Sequence, residues 1–226
     1  MLLLATGLVL FWVWLPATAR TALWEILAAR HELVVLLLVF VLLALSLVWS
    51  AGQQLDSLAF LFFNRGDYHP GWLDGVMWLA TQLGSMPAAL IAAGFLFVLL
   101  DRKLAITLIF GTITLWLLVE TIKLLTDRAR PFLTLEAARI VGRRQSGRSF
   151  PSGHTAQAFF LATLLTHQLP LEIWQNLALY AIAALVGLTR IYVGAHYPRD
   201  VIGGAVLGAV WGFLGVLVEP SWIFLR

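Results

Sequence analysis

The 226-residue chain is 61% hydrophobic and 12% charged, with a mean hydropathy of +0.89, against about half apolar and a quarter charged in soluble domains. That balance excludes a water-soluble globule, and the absence of cysteine excludes a disulfide framework, a thiolate nucleophile and cysteine-ligated metal. A net charge of +3 and a pI near 9.7 would suit a nucleic-acid binder, but ten tryptophans and long apolar runs place the basic residues in loops between membrane spans, so lipid and not nucleic acid is the expected partner.

In chain order, residues 1–16 are apolar but have no basic residue before them as a signal peptide would, leaving a short span and an interfacial helix as equal alternatives. A bilayer core about 30 Å thick takes about 20 apolar helical residues, and residues 33–49 form the first clear run. Residues 51–84 interleave Asp56, Arg65, Asp67, His69 and Asp74 with Phe60, Phe62, Phe63, Trp72 and Trp78, which predicts short amphipathic pieces along the interface. The next spans are predicted at 86–100 and 104–125, a hairpin turned by Asp101-Arg102-Lys103. Residues 126–150 carry eight charges and cannot cross a membrane. Spans at 154–169, 176–191 and 201–218 follow. The expected fold class is all-α: a polytopic membrane bundle with six core transmembrane helices, plus a seventh if residues 1–16 span. No linker divides it, so residues 33–226 read as one transmembrane domain behind an apolar or interfacial segment, residues 1–32.

If the last four spans alternate in direction, the end of the third, the start of the fourth, the end of the fifth and the start of the sixth share one side. Those places hold Lys123 with Arg130, Ser152 with His154, Thr189 with Arg190, and His196 with Asp200. Taken singly, each has an ordinary explanation. Lys123 could be a snorkelling helix-end lysine, with Glu120 one turn before it as a partner, and Arg130 a topology charge. Ser152-Gly153-His154 could be a plain helix start, and Asp200 an acidic first-turn residue. Taken together, they describe an anion site. If the third span continues, Lys123 and Arg130 fall on one face. The Ser-Gly turn offers backbone N–H groups backed by a helix dipole. Asp200, four residues after His196, can fix its tautomer. Three cations, an anion cradle and two histidines suit phosphoryl transfer, with one histidine attacking and the other protonating the leaving oxygen. One carboxylate beside the histidines is a poor set for a magnesium or dinuclear centre.

The pattern of Lys123, six residues, Arg130-Pro131, then Pro151-Ser152-Gly153-His154, then Thr189-Arg190, five residues to His196 and three more to Asp200 resembles the three-part signature of the type 2 phosphatidic acid phosphatase superfamily. Thr189 replaces the usual serine and keeps a hydroxyl. The resemblance implies a lipid phosphatase that needs no metal or other cofactor. His196 is the implied nucleophile, forming a phosphohistidine, Asp200 orients it, and His154 is the acid that later activates water. Lys123, Arg130, Ser152, Gly153 and Arg190 are the implied phosphate ligands. In bacterial members the pocket faces the extracytoplasmic side of the cytoplasmic membrane, and Arg20, Arg30, Arg102 and Lys103 suit the inner face. The implied substrates are undecaprenyl diphosphate, which is favoured, phosphatidylglycerol phosphate, phosphatidic acid or the phosphate of lipid A. A phosphotransferase that hands the group to a second lipid, and a non-catalytic lipid transporter, are the alternatives. Oligomeric state leaves no signal in the sequence.

Overall fold

Helices occur at all six places where apolar runs predict spans. The computed structural model describes residues 30–64 and 70–217, together with Thr21, Trp24, Glu25, Ala28 and Ala29; the alternatives for residues 1–16 and the placement of Arg20 fall outside the described residues. In order come α1 (His31–Ser46), α2 (Ser50–Asn64), α3 (Gly71–Thr81) with a 3-10 turn to Gly84, α4 (Met86–Leu99) and α5 (Arg102–Thr126). They are followed by the single-turn α6 (Pro131–Thr134), then α7 (Gly153–Gln168), α8 (Ile173–Tyr192) and α9 (Pro198–Leu217). The protein is an all-α polytopic membrane bundle, with no strand among the described residues.

Local chemistry sets the breaks. Ser85 caps α4 by accepting from the Ala88 N–H, with Pro87 in the first turn where no N–H is needed. Asp101 caps α5 by accepting from the Lys103 and Leu104 N–H groups at 2.7 and 3.1 Å. At the other end, Asp127 turns left-handed (φ 46°) and stops α5. The expectation that Lys123 and Arg130 share one helical face therefore fails: the helix ends between them, and Arg130 is instead the N-cap residue that precedes α6.

The stretch Arg102–Thr134 and helix α9 are each long and apolar enough to cross a membrane, and α1 with α2 (bent by 97°) and α3 with α4 (bent by 58°) qualify as bent pairs. The 14 residues of α4 rise only about 21 Å, so α4 draws on α3 to complete its length. Within residues 51–84, α2 turns sharply away from α1, and one of the charges expected at the interface points inward instead. Asp56 and Asn64 are buried, facing the bundle.

Outward faces carry Val41, Leu42, Ile91, Val98, Trp116 and Leu117, all exposed as hydrocarbon contact requires. Inside, Leu104, Leu108, Leu115 and Val119 of α5 pack with Ala156, Phe160 and Leu164 of α7, Leu207 of α9 and Ala93 and Leu96 of α4. Helix α7 is the central element, so its polar groups find partners on neighbouring helices: Gln157 donates to Thr112 at 3.0 Å, and Tyr180 to Thr163 at 3.1 Å. Helix α9 approaches α7 backbone to backbone. A Cβ on Gly204 would lie 2.5 Å from the Ser152 carbonyl oxygen, and one on Gly208 would collide with the Ala156 carbonyl. Gly208→Ala is expected to destabilise the bundle by about 1–3 kcal/mol through overpacking against backbone that cannot yield, read as a lower Tm of the detergent-purified protein.

Candidate active site

The site lies where α5, α7, α8 and α9 end on one side, as alternation of the spans requires. The turn after α8 is wound tightly: the Ala195 and His196 N–H groups both donate to the Arg190 carbonyl, at 3.0 and 3.2 Å, and Val141 N–H donates to the Val193 carbonyl. Gly194 makes this turn possible. Its φ is +83°, and a Cβ there would strike the Arg139 carbonyl. The result is a buried His196 whose two ring nitrogens face different surroundings.

The Nε2 atom of His196 faces Arg130, whose Nη1 is 3.3 Å away, and both residues line a cavity of about 690 Å3. The Nδ1 atom faces the other way, 3.5 Å from the Ser149 hydroxyl and 3.7 Å from Asp200 Oδ2. Asp200 thus does not hydrogen-bond the ring directly, as its spacing from His196 suggested. The Ser149 hydroxyl stands between them and donates to Asp200 Oδ2, which also accepts from the Tyr197 N–H at 2.9 Å. His196 sits in the loop between α8 and α9. Burial, reinforced by Arg130, Arg190 and Lys123, holds its pKa well below the usual histidine value. Its imidazole is therefore neutral at physiological pH, leaving one nitrogen lone pair for attack or proton abstraction.

The cations are held by different means. Arg130 donates to three carbonyls, those of Ala195, Ser146 and Gly147, each at 3.0 Å. No carboxylate among the described residues pairs with it, so its positive charge remains available to an anion. Arg190 is 1% exposed and donates through Nη1 to Thr81 at 2.7 Å, while Nε and Nη2 are buried without a partner. Unmet guanidinium donors in a closed site await an acceptor. Lys123 pairs with Glu120 at 2.7 Å, as their one-turn separation predicts, and lines the larger cavity.

Gly153 and His154 line that cavity at the mouth of α7. Ser152 does not: it is fully buried, and its hydroxyl accepts from the Thr155 hydroxyl at 2.9 Å and the Thr155 N–H at 3.5 Å as the helix cap. A second cavity of about 200 Å3 holds Arg190 and shares His154, Arg143 and Gln145 with the first. The structure therefore brings Lys123, Arg130, Gly153, His154 and His196 around one space. Arg190 lines the second cavity, which shares His154 with the first, and Ser152 and Asp200 line neither.

Residues 103–223 match the PAP2 superfamily. The chain belongs to that superfamily. It is 34% identical over 204 residues to phosphatidylglycerophosphatase B of Bacillus subtilis, covering 81% of this chain and 93% of that one. It is 28% identical over 189 residues to the undecaprenyl-diphosphatase of Sulfolobus acidocaldarius, covering 83% and 91%. The crystal structure of a transmembrane PAP2-type phosphatidylglycerolphosphate phosphatase from Bacillus subtilis superposes with a TM-score of 0.67 at 29% identity, covering 87% of this chain and all of that one. The protein is thus a membrane phosphatase of the PAP2 type.

Three residues around this candidate site escape the sequence motifs. Ser149 precedes the Pro151-Ser152-Gly153-His154 turn and carries no pattern of its own. Thr81 reaches Arg190 from the end of α3, more than 100 residues away. Arg128, two residues before Arg130, reads as one more loop arginine. If the unpartnered Arg190 donors receive phosphoryl oxygens, orthovanadate should raise the Tm of the detergent-purified protein, corresponding at 100 times Kd to about 2.7 kcal/mol. Arg190→Gln should lose most of that shift.

Proposed function

We propose that this PAP2 protein hydrolyses a lipid diphosphate, with undecaprenyl diphosphate as the favoured substrate, through a phosphohistidine on His196. The observation that carries the reading is the neutral His196 ring, with Nε2 opening on the cavity beside an uncompensated Arg130. Nε2 attacks phosphorus as the bond to the leaving oxygen breaks, and His154, which takes up a proton as the anionic substrate binds, gives that proton to the leaving oxygen. Neutral His154 then takes a proton from water, whose oxygen attacks the phosphohistidine. Inorganic phosphate leaves, and His196 returns to its neutral form. Arg130, Arg190 and Lys123 hold the phosphoryl oxygens as charge develops, aided by the Gly153 N–H at the positive end of α7. Asp200 acts through the Ser149 hydroxyl, and Ser152 supports the cradle by capping α7. These side chains supply every charge and proton the reaction needs, and the reading includes no metal or other cofactor.

The cavity walls support the favoured substrate. Arg143 and Arg144 add two cations to the space that already holds Lys123 and Arg130, which suits the greater charge of a diphosphate. Met86, Pro87, Leu115, Trp116 and Val119 form an apolar side between α4, α5 and α7 where a lipid chain can lie. We place the site on the extracytoplasmic face of the cytoplasmic membrane, since the Arg102-Lys103 turn lies at the end of α5 opposite Lys123. Residues 33–226 act as one catalytic domain.

Purified protein supplied in turn with undecaprenyl diphosphate, phosphatidylglycerol phosphate and phosphatidic acid is expected to release phosphate fastest from the first, without an acceptor lipid and undiminished by EDTA. Release only when a second lipid is added would point to a phosphotransferase. His196→Ala should abolish release while the protein stays folded in detergent, and full activity in that variant would remove His196 as the nucleophile. Because the chain has no cysteine, Ser146→Cys provides a single thiol at the cavity wall. A membrane-impermeant maleimide should label it in intact cells with the outer envelope opened, and labelling only after lysis would reverse the orientation.

A further inference from the structure

Asp200 is fully buried, and its two oxygens are both tied to one residue that lines neither cavity. Arg128 Nη1 donates to Asp200 Oδ1 at 2.6 Å. The Arg128 carbonyl accepts from the Ser149 N–H at 2.8 Å, and the Ser149 hydroxyl in turn donates to Asp200 Oδ2. The side chain of Arg128 therefore fixes one carboxylate oxygen, and its backbone fixes the group that bridges the other to His196.

Arg128 is itself held from α2. Its Nη2 donates to Asp56 Oδ2 and, at 2.8 Å, to Gln53 Oε1, and its guanidinium lies 4.4 Å from the Tyr197 ring centroid. Asp56 is 3% exposed and also accepts from Arg199, through Nε at 2.6 Å and the backbone N–H at 3.1 Å. Two buried carboxylates and two guanidiniums balance, so none of the four is left as a lone charge in a low-dielectric interior. Helix α2 precedes the 103–223 stretch that carries the superfamily match.

We propose that Arg128, anchored by Asp56, is a positioning residue for the reaction: it sets the Ser149–Asp200 pair that orients His196, so α2 takes part in catalysis without touching substrate. The role rests on attack by His196. It predicts a loss in kcat and not in binding, since the phosphoryl ligands Arg130, Arg190 and Lys123 are untouched. Arg128→Met keeps the bulk and removes the donors. Phosphate release from undecaprenyl diphosphate by this variant is expected to fall about 100-fold in kcat, the scale of loss for a misplaced reacting group. KM and the orthovanadate-induced rise in Tm should stay near their wild-type values. Arg128→Lys, which restores one charged donor, should recover part of the rate. Asp56→Asn tests the anchor independently if Arg128→Met does not fold, and should lower kcat with KM unchanged. Wild-type kcat in a folded Arg128→Met or Asp56→Asn protein would overturn the proposal. So would a rise in KM with kcat intact, which would make Arg128 a substrate ligand. An inactive wild-type protein on the same lipid would count against the substrate reading, while the vanadate shift and the variants' rates on phosphatidic acid would still test the relay.

Discussion

A single buried carboxylate organises the end of the bundle where the candidate site sits. Asp200 occupies the first turn of α9, away from water, and a charge in that position must be met by donors from the surrounding chain. Arg128 comes from the loop after α5, Ser149 from the stretch before α7, and the Tyr197 N–H from the turn after α8. Three segments far apart in sequence are thereby drawn to one point. The Asp200 carbonyl adds a fourth link by accepting from the Ser152 N–H at 2.9 Å, which seats the start of α7 beside α9.

Close helix packing makes that convergence possible. The glycines at 204 and 208 let α9 lie against the α7 backbone, and without that approach Ser152 could not reach the Asp200 carbonyl. The polar groups inside the bundle are then divided between two tasks. Asp56, Arg128, Arg199 and Asp200 neutralise one another and hold helices in register. Arg130 donates to three carbonyls, and Arg190 donates only through Nη1 to the Thr81 hydroxyl with Nε and Nη2 unpartnered, so neither guanidinium is paired with a carboxylate among the described residues. Ion pairing and the cavity wall thus use different arginines, only two residues apart at positions 128 and 130.

The loop of residues 143–147 gives this PAP2 protein its particular cover. Arg143 and Gln145 separate the two cavities, and Arg144 stacks over Phe132 with its guanidinium 4.7 Å from the ring centroid. A cover this short offers no folded lid, and the cavity beneath it keeps an apolar side of Met86, Pro87, Leu115, Trp116 and Val119.

The amino-acid sequence by itself determined that the chain is a helical membrane protein, because runs of apolar residues at bilayer length have few other solutions. It also placed the helix ends carrying Lys123, Arg130, His154 and His196 on one side through alternation of the spans, and those four line one cavity, while Arg190 lines a second. Spacing within one segment was less secure. Lys123 and Arg130 read as one helical face, but the left-handed turn at Asp127 separates them, and the four-residue step from His196 to Asp200 proved to be filled by a serine hydroxyl. Only the tertiary structure decided that Ser152 caps a helix behind the wall, that Asp56 faces inward from a segment that reads as interfacial, and that Arg128 belongs with Asp200. The contacts of Arg128 with Gln53, Asp56 and Asp200 and of Ser149 with Asp200 join residues 51 to 75 positions apart, and no local period or motif records which buried charge will meet which.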